Sequence, residues 1–186
     1  VFRQTLFTAD EHYFHENIAK YTNRPWIGVK ANNNGLIAAH NKVNQTGETV
    51  WHIGDFTMAS EEYVGKVRKQ VIQRLNGIHH LVLGNHDSWK PFRYVDNGFV
   101  SVHTSFWFSH DEYTFVLAHD PSIYTVLENE EKTFMLCGHI HKLFQHLLPQ
   151  KRIINVGVDV WDYKPVSFEQ ICDLIRQNGW EIKNHG

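Results

Sequence analysis

The chain has 186 residues and only two cysteines, Cys137 and Cys172, so one pairing is the arithmetic limit and a disulfide scaffold is excluded. Such low usage fits a reducing compartment, and the expected location is the cytoplasm. No run approaches the roughly 18 consecutive apolar residues of a membrane-spanning helix. The N-terminal residues lack the charged-then-apolar pattern of a secretory leader, so none is expected. Neither sign of charge is in excess: Lys and Arg number 18 against 20 Asp and Glu, a net of -2. That balance predicts no general affinity for nucleic acid or an anionic membrane. Prolines number five, and no Pro/Gly/Ser-rich linker or repeat divides the chain, so one domain over residues 1–186 is expected. Hydrophobic residues at 42% and charged residues at 20% exclude a disordered, collagen-like or coiled-coil chain.

Histidine, by contrast, is abundant. Its 14 copies outnumber the 12 glycines and the 12 phenylalanines. Histidine is the commonest metal ligand and the acid/base that works near neutrality, so composition directs attention to a metal.

Pattern reading gives strands and helices interleaved. Apolar strands are predicted at Phe2 to Thr8, Thr49 to Ile53, His80 to Leu83, Thr133 to Cys137 and Ile153 to Val158. Val100 to Phe108 and Tyr113 to Ala118 read as a hairpin around Ser109 to Glu112. A helix is predicted over Leu36 to Val43, with Ala31 to Gly35 as the turn before it. Ser60 reads as an N-cap before the apolar stripe Val64, Val67, Val71, Ile72 and Leu75. Ser167 and Gln170 read as a capping box ahead of Ile171, Leu174 and Ile175, with Gly179 as the stop. The sum is an α/β chain with a mixed sheet or two sheets packed face to face.

The chemistry lies in the loops at the strand ends. They read Asp10-Glu11-His12, Gly54-Asp55, Gly84-Asn85-His86-Asp87, His119 and Gly138-His139-Ile140-His141. In open α/β sheets, ligands bind outside the carboxyl ends of the strands. Every block offers oxygen or imidazole and none offers thiolate, which suits Mn, Fe, Co, Ni or Zn rather than a closed structural zinc site. Asp10, His12, Asp55, Asn85, His119, His139 and His141 give seven candidate ligands. That number exceeds one open tetrahedral site and suits two ions sharing a carboxylate.

The order D-x-H, G-D, G-N-H-D, H, G-H-x-H, from Asp10 to His141, resembles the calcineurin-like metallophosphoesterase superfamily and is similar to its small bacterial and phage members. The resemblance implies a four-layer αββα sandwich of two mixed sheets flanked by helices. It implies two divalent ions, with Mn, Fe, Ni or Zn favoured and Mg admissible. One ion would be held by Asp10, His12, Asp55 and His141, and the other by Asp55, Asn85, His119 and His139, with Asp55 bridging. His86 would face the phosphoester, and Asp87 would orient it. The chemistry implied is in-line attack on phosphorus by a metal-bridging hydroxide. In the same members the run containing His15 and Asn17, followed by Arg24, marks a segment whose His15, Asn17 and Arg24 are candidate substrate residues, Arg24 reading equally as a phosphate fork or as a surface arginine that fixes the loop. Asn155 to Asp159 resembles the superfamily's last strand, with Asp159 read as structural.

Departures from subfamily patterns narrow the function. Protein serine/threonine phosphatases of the superfamily carry G-D-x-x-D-R-G and G-N-H-E, whereas here Gly54-Asp55 is followed by Phe56-Thr57-Met58-Ala59 and the later block ends in Asp87. Repair nucleases add capping domains and dimerisation helices for which this length leaves no room. The expected activity is therefore a phosphodiesterase on a small, nucleotide-type diester, with phosphomonoesterase or nuclease as alternatives and a metal-binding scaffold as the non-enzyme alternative. The expected partner is a small phosphoester, with no membrane. His52 is expected to be interior, and His40, His79, His103, His110, His146 and His185 to be surface or packing residues. Substrate specificity is expected in Ala31 to Gln45, Trp89 to Asn97 and Leu143 to Arg152.

Overall fold

The computed structural model describes residues 4–45, 47–126, 132–144, 146–148 and 151–182. Two five-stranded sheets form the frame. The first has the order β10-β1-β2-β3-β4, built from β1 (Thr5–Thr8), β2 (Thr49–Ile53), β3 (Ile78–Val82), β4 (Phe99–His103) and β10 (Val166–Ser167). Strands β1 to β4 are parallel and β10 is antiparallel. The second sheet has the order β5-β6-β7-β9-β8, from β5 (Phe106–His110), β6 (Tyr113–Leu117), β7 (Thr133–Cys137), β8 (Leu147–Leu148) and β9 (Ile153–Asn155). Its centre, β6-β7-β9, is parallel and its edges are antiparallel.

Strand alternation sorts the side chains into layers. Phe7, Trp51, Ile53 and Val82 of the first sheet meet Phe115, Leu117, Phe134, Leu136 and Ile154 of the second in one core. The helix α5 (Phe168–Gln177) adds Phe168, Ile171 and Ile175 to that core. Its capping box forms as expected, with Ser167 and Gln170 bonding each other's backbone. On the other face of the first sheet, Leu81 packs with Leu36 and Ile37 of α2 (Val29–Val43), Val67 of α3 (Val64–Gln70) and Tyr94 of α4 (Pro91–Val95). The short helix α1 (Ile18–Tyr21) comes after the first site loop. On the outer face of the second sheet, Met135 and Cys137 pack with Ile140, Phe144 and Leu148. The molecule is thus an α/β protein of two mixed sheets flanked by helices. Among the described residues no helix is long and apolar enough to cross a membrane.

Three sequence expectations need correction. Ala31 to Gly35 lies inside α2 rather than before it. Within it Asn32 and Asn33 are buried and Asn34 is exposed; the Asn33 side chain accepts the Phe14 N–H at 3.2 Å, and Gly35 packs against the Trp26 indole. The predicted strand Val100 to Phe108 is two strands, because the chain passes from the first sheet to the second between β4 and β5. Ser60 makes no side-chain cap; its hydroxyl bonds Glu62, and a 3-10 turn leads into α3. Ala31 to Gln45 and Trp89 to Asn97 are accordingly mostly helical, in α2 and α4. His185 lies outside the described residues, as do Phe2 and part of the segment 143–152.

Candidate metal centre

The site sits where the parallel strands of both sheets end. Asp10 and His12 come after β1, Asp55 after β2, and Asn85, His86 and Asp87 after β3; His119 comes after β6, and His139 and His141 after β7. A parallel bridge between Ala9 and Gly157 joins the two sheets beside it. Five of these residues hold left-handed backbone: Asp10 (φ 60°), His12 (50°), Asp55 (56°), His139 (73°) and His141 (44°). Such backbone is uncommon outside glycine and clusters at functional sites. Two glycines supply room for the carboxylates. A Cβ on Gly84 would lie 2.3 Å from Asp55 Oδ1, and one on Gly138 would lie 3.0 Å from both Asp10 carboxylate oxygens.

Six ligands expected from the sequence gather into two triads, Asp10-His12-His141 and Asp55-His119-His139, each with its ligand atoms within 4.8 Å of one another. Asp55 stands between them: its Oδ2 lies 3.5 Å from His12 Nε2 and 3.2 Å from His119 Nε2. Asn85 joins the second triad, with its Oδ1 2.9 Å from His139 Nδ1. The buried Asp10 Oδ2 and His12 Nδ1 have no hydrogen-bond partner, and His12 Nε2 and His119 Nε2 face only the Asp55 carboxylate. Orphaned buried polar atoms are costly, and Asp10 and His12 belong to one triad whose donors fit a cation. Mixed imidazole and carboxylate donors fit divalent transition ions.

Neighbouring groups fix which ring nitrogens are available. His119 Nδ1 is held by the Ile53 carbonyl at 2.9 Å and His141 Nδ1 by Asp159 Oδ2 at 2.8 Å, which leaves each Nε2 for a ligand. Burial raises the Asp10 carboxyl to about 6. Burial also works against ionised Asp55, but contact with His119 and the His86 N–H brings it down to about 2. Burial opposes charge on His119, yet Asp55 and Asp10 lift it to about 9. His12 is lowered to about 3, by burial against the pull of Asp55.

Arg24 is neither exposed nor open to a phosphate. Its Nε donates to Asp159 Oδ1 at 2.8 Å, Nη1 to the Glu11 carbonyl at 2.8 Å and Nη2 to the Asp10 carbonyl at 2.7 Å. The expectation of a phosphate fork gives way to loop fixing, carried out in the interior because these acceptors consume the guanidinium. Asp87 is also placed differently from expectation. Its Oδ2 accepts N–H groups of Asp55 at 2.8 Å and Gly84 at 2.9 Å, and its Oδ1 accepts that of Phe56 at 3.0 Å. Among the described residues no bond joins it to the His86 ring, so it organises the Asp55 and Gly84 loops. Burial pushes its carboxyl up to about 7 against those donors.

No sequence motif assigned Glu11 a role. Its buried carboxylate lies 2.5 Å from His52 Nδ1, and His52 Nε2 lies 3.0 Å from His79 Nδ1. The His40 ring stacks on His52 with centroids 6.1 Å apart. This chain of groups runs from the Asp10–His12 loop to the layer between the first sheet and α2. Strand alternation was the available signal, since His52 and His79 share their strands' outer face with Val50 and Leu81.

Two clefts adjoin the centre. The first, about 620 Å³, is lined by His12, His141, His86, His15, Tyr21 and Leu143 among others. The second, about 320 Å³, is lined by His119, His139, Asn85, Asp120, Ser122 and Ile123 among others. His15 lines the first cleft, with its Nδ1 accepting the Asn17 N–H at 3.0 Å. Asn17 is the N-cap of α1 and lines neither cleft.

Comparison with known proteins agrees with this geometry. A family profile described as a calcineurin-like phosphoesterase superfamily domain matches residues 12–166. The uncharacterized protein MJ1445 of Methanocaldococcus jannaschii is 30% identical over 181 residues, covering 94% of this chain and 93% of its own. The structure of the protein of unknown function AQ665 from Aquifex aeolicus shares the fold, with TM-score 0.69 and 24% identity over 92% of this chain and 98% of that one. The nuclease MPE of Pseudomonas putida is more distant, with TM-score 0.49 and 21% identity over 75% and 62%. On the family match, the chain belongs to the calcineurin-like phosphoesterase superfamily and is a metal-dependent phosphoric ester hydrolase.

Proposed function

We propose that the protein is a phosphodiesterase acting on a small, nucleotide-type phosphodiester at a dinuclear divalent-metal centre. The observation that carries this reading is the meeting of two ligand triads at Asp55. Asp10, His12, Asp55 and His141 would hold one ion, and Asp55, Asn85, His119 and His139 the other. Divalent ions supply Lewis acidity toward phosphoryl oxygens and generate a nucleophile from water at neutral pH. Manganese, iron, nickel or zinc suits the mixed donors, and magnesium suits their oxygen fraction.

The chain's own groups do the rest. The exposed His86 is anchored through its N–H to Asp55 Oδ1 at 2.9 Å, and its ring lines the first cleft, 5.5 Å from the His12 ring. There it can give a proton to the departing ester oxygen or stabilise its charge. Asp87 positions the loop that carries His86. His15 accepts at Nδ1, so its neutral ring carries the proton on Nε2 and offers a donor to a phosphoryl oxygen. Two clefts flanking one centre support a diester, because a diester has two substituents to place. The same reading takes residues 1–186 as one domain and the cytoplasm as its location, supported by the shared inter-sheet core and by two buried free thiols.

The test is hydrolysis of bis-p-nitrophenyl phosphate against p-nitrophenyl phosphate with Mn, Ni, Zn, Mg or chelator. Metal-dependent preference for the diester is expected. Preference for the monoester would replace the reading with a phosphomonoesterase. No turnover with any ion, despite tight binding, would replace it with a scaffold.

A further inference from the structure

We infer that Tyr21 forms a stacking face for a planar nucleobase on the wider of the two clefts, with His15 set at its edge. The inference rests on the phosphodiesterase reading and names the group carried by one ester arm.

The two clefts differ in kind. The narrower one has Asp120 and Ser122 on its wall, the Asp120 carboxylate accepting the Ser122 N–H at 2.8 Å. The wider cleft has no acidic side chain among its lining residues. It is continuous with the first triad through His12 and His141, so an ester substituent leaving that triad on this side enters it. Its outer wall is apolar and open: Tyr21 is 71% exposed and Leu143 81% exposed. The Tyr21 ring is set edge-on to His15, with centroids 5.9 Å apart and planes at 85°. His15 is in turn edge-on to the ligand His12 at 5.8 Å. A relay of rings therefore leads outward from the metal-binding triad and ends in a solvent-open phenol face. Exposed aromatic faces stack on every base, because each base has a π-face.

Lys142 also reaches the wall, its ammonium group donating to the Thr22 carbonyl at 2.6 Å. Ile140 and Leu143 contribute only apolar contact. Stacking on an open phenol face gives affinity that draws on the π-face every base has.

The experiment compares thymidine 5′-(p-nitrophenyl phosphate) with ethyl p-nitrophenyl phosphate, which share a leaving group, using the Mn-loaded full chain. Tyr21→Ala is expected to lower kcat/KM on the thymidine substrate by about 5- to 150-fold and on the ethyl substrate by less than twofold. Tyr21→Phe retains the wild-type ratio. Equal losses on both substrates, or none on the thymidine diester, would overturn the subsite. Calorimetric binding of thymidine 5′-monophosphate against methyl phosphate separates this inference from the reading beneath it. If the wild type cleaves neither diester yet Tyr21→Ala weakens only the nucleotide, the subsite stands and the phosphodiesterase reading falls. Unchanged nucleotide binding in Tyr21→Ala removes the subsite whatever the turnover.

Discussion

Replacing Asp87 by asparagine changes a single oxygen at a point where several backbone N–H groups converge. Oδ2 accepts from Asp55 at 2.8 Å and Gly84 at 2.9 Å, and Oδ1 from Phe56 at 3.0 Å and Thr57 at 3.4 Å. Asparagine keeps one acceptor and, whichever way it flips, turns an NH₂ donor toward one of these pairs. Two buried N–H groups then face a donor. Each orphaned buried donor costs about 1–3 kcal/mol, so a loss of about 2–6 kcal/mol is expected. That is a large part of the roughly 5–15 kcal/mol by which a domain is stable. Urea unfolding in chelator reads it without interference from bound metal. With a slope of about 2 kcal/mol per molar, the midpoint falls by about 1–3 M. A midpoint within about 0.3 M of wild type, together with lost turnover in the metal-loaded enzyme, would refute the anchoring role and restore Asp87 as a partner of His86.

His86→Ala is expected to keep both ions by elemental analysis while kcat falls by about 10²–10⁴ on a substrate with an alkoxide leaving group; unchanged turnover would remove His86 from the chemistry. Arg24→Ala strands the buried Asp159, which burial disfavours but His141 and Arg24 hold at about 2. A loss of about 3–5 kcal/mol and weaker metal binding are expected from melts and calorimetry. A rise in KM alone, with stability and metal affinity intact, would return Arg24 to phosphate binding. Burial, with His52 alongside, lowers His40 from its ordinary 6.5 to about 4. Its folded pKa is therefore depressed, and below pH 6.5 the unfolded chain takes up a proton that the folded one refuses. Stability contributed by neutral His40 is complete above pH 6.5 and declines toward pH 4 by about 1.4 kcal/mol per pH unit. His40→Gln keeps a donor for the Asn76 carbonyl and is expected to flatten the decline by that slope; equal slopes in urea would contradict it.

The residues that gather at the candidate centre were legible because each comes after a strand whose apolar run is visible, as with Phe134 to Cys137 before Gly138. Parallel strands then bring their ends together without further information from the sequence. The supporting groups were not legible in the same way. Arg24 and Asp159 are 135 residues apart, and no local pattern distinguishes a buried arginine from an exposed one. Asp87 is next to His86 in the chain, so adjacency implied a pairing, whereas the turn after Gly84 points the two side chains to different surroundings. The helix α2 was truncated because Asn-Asn-Asn-Gly is a turn signal by propensity. Tertiary contacts from Phe14 and Trp26 override it.

Metal removal tests the architecture as well as the chemistry. Each triad draws on both sheets: Asp10 and His12 from the first with His141 from the second, and Asp55 from the first with His119 and His139 from the second. An ion in either triad therefore bridges the two sheets, and only the native state presents that geometry. It also rewards the left-handed backbone of five candidate ligand residues, a conformation that costs on the order of 1–3 kcal/mol per residue. An ion at a hundred times its Kd stabilises the folded state by about 2.7 kcal/mol. For a chain of this size that raises Tm by about 5–10 °C per ion. Wild type titrated with Mn is expected to show both increments, and chelator to reverse them. His139→Ala touches one triad and keeps the increment of the other, whereas Asp55→Ala touches both and loses nearly the whole rise. If Asp55→Ala kept half of it, Asp55 would serve one ion only, and the two triads would be neighbours rather than parts of one centre.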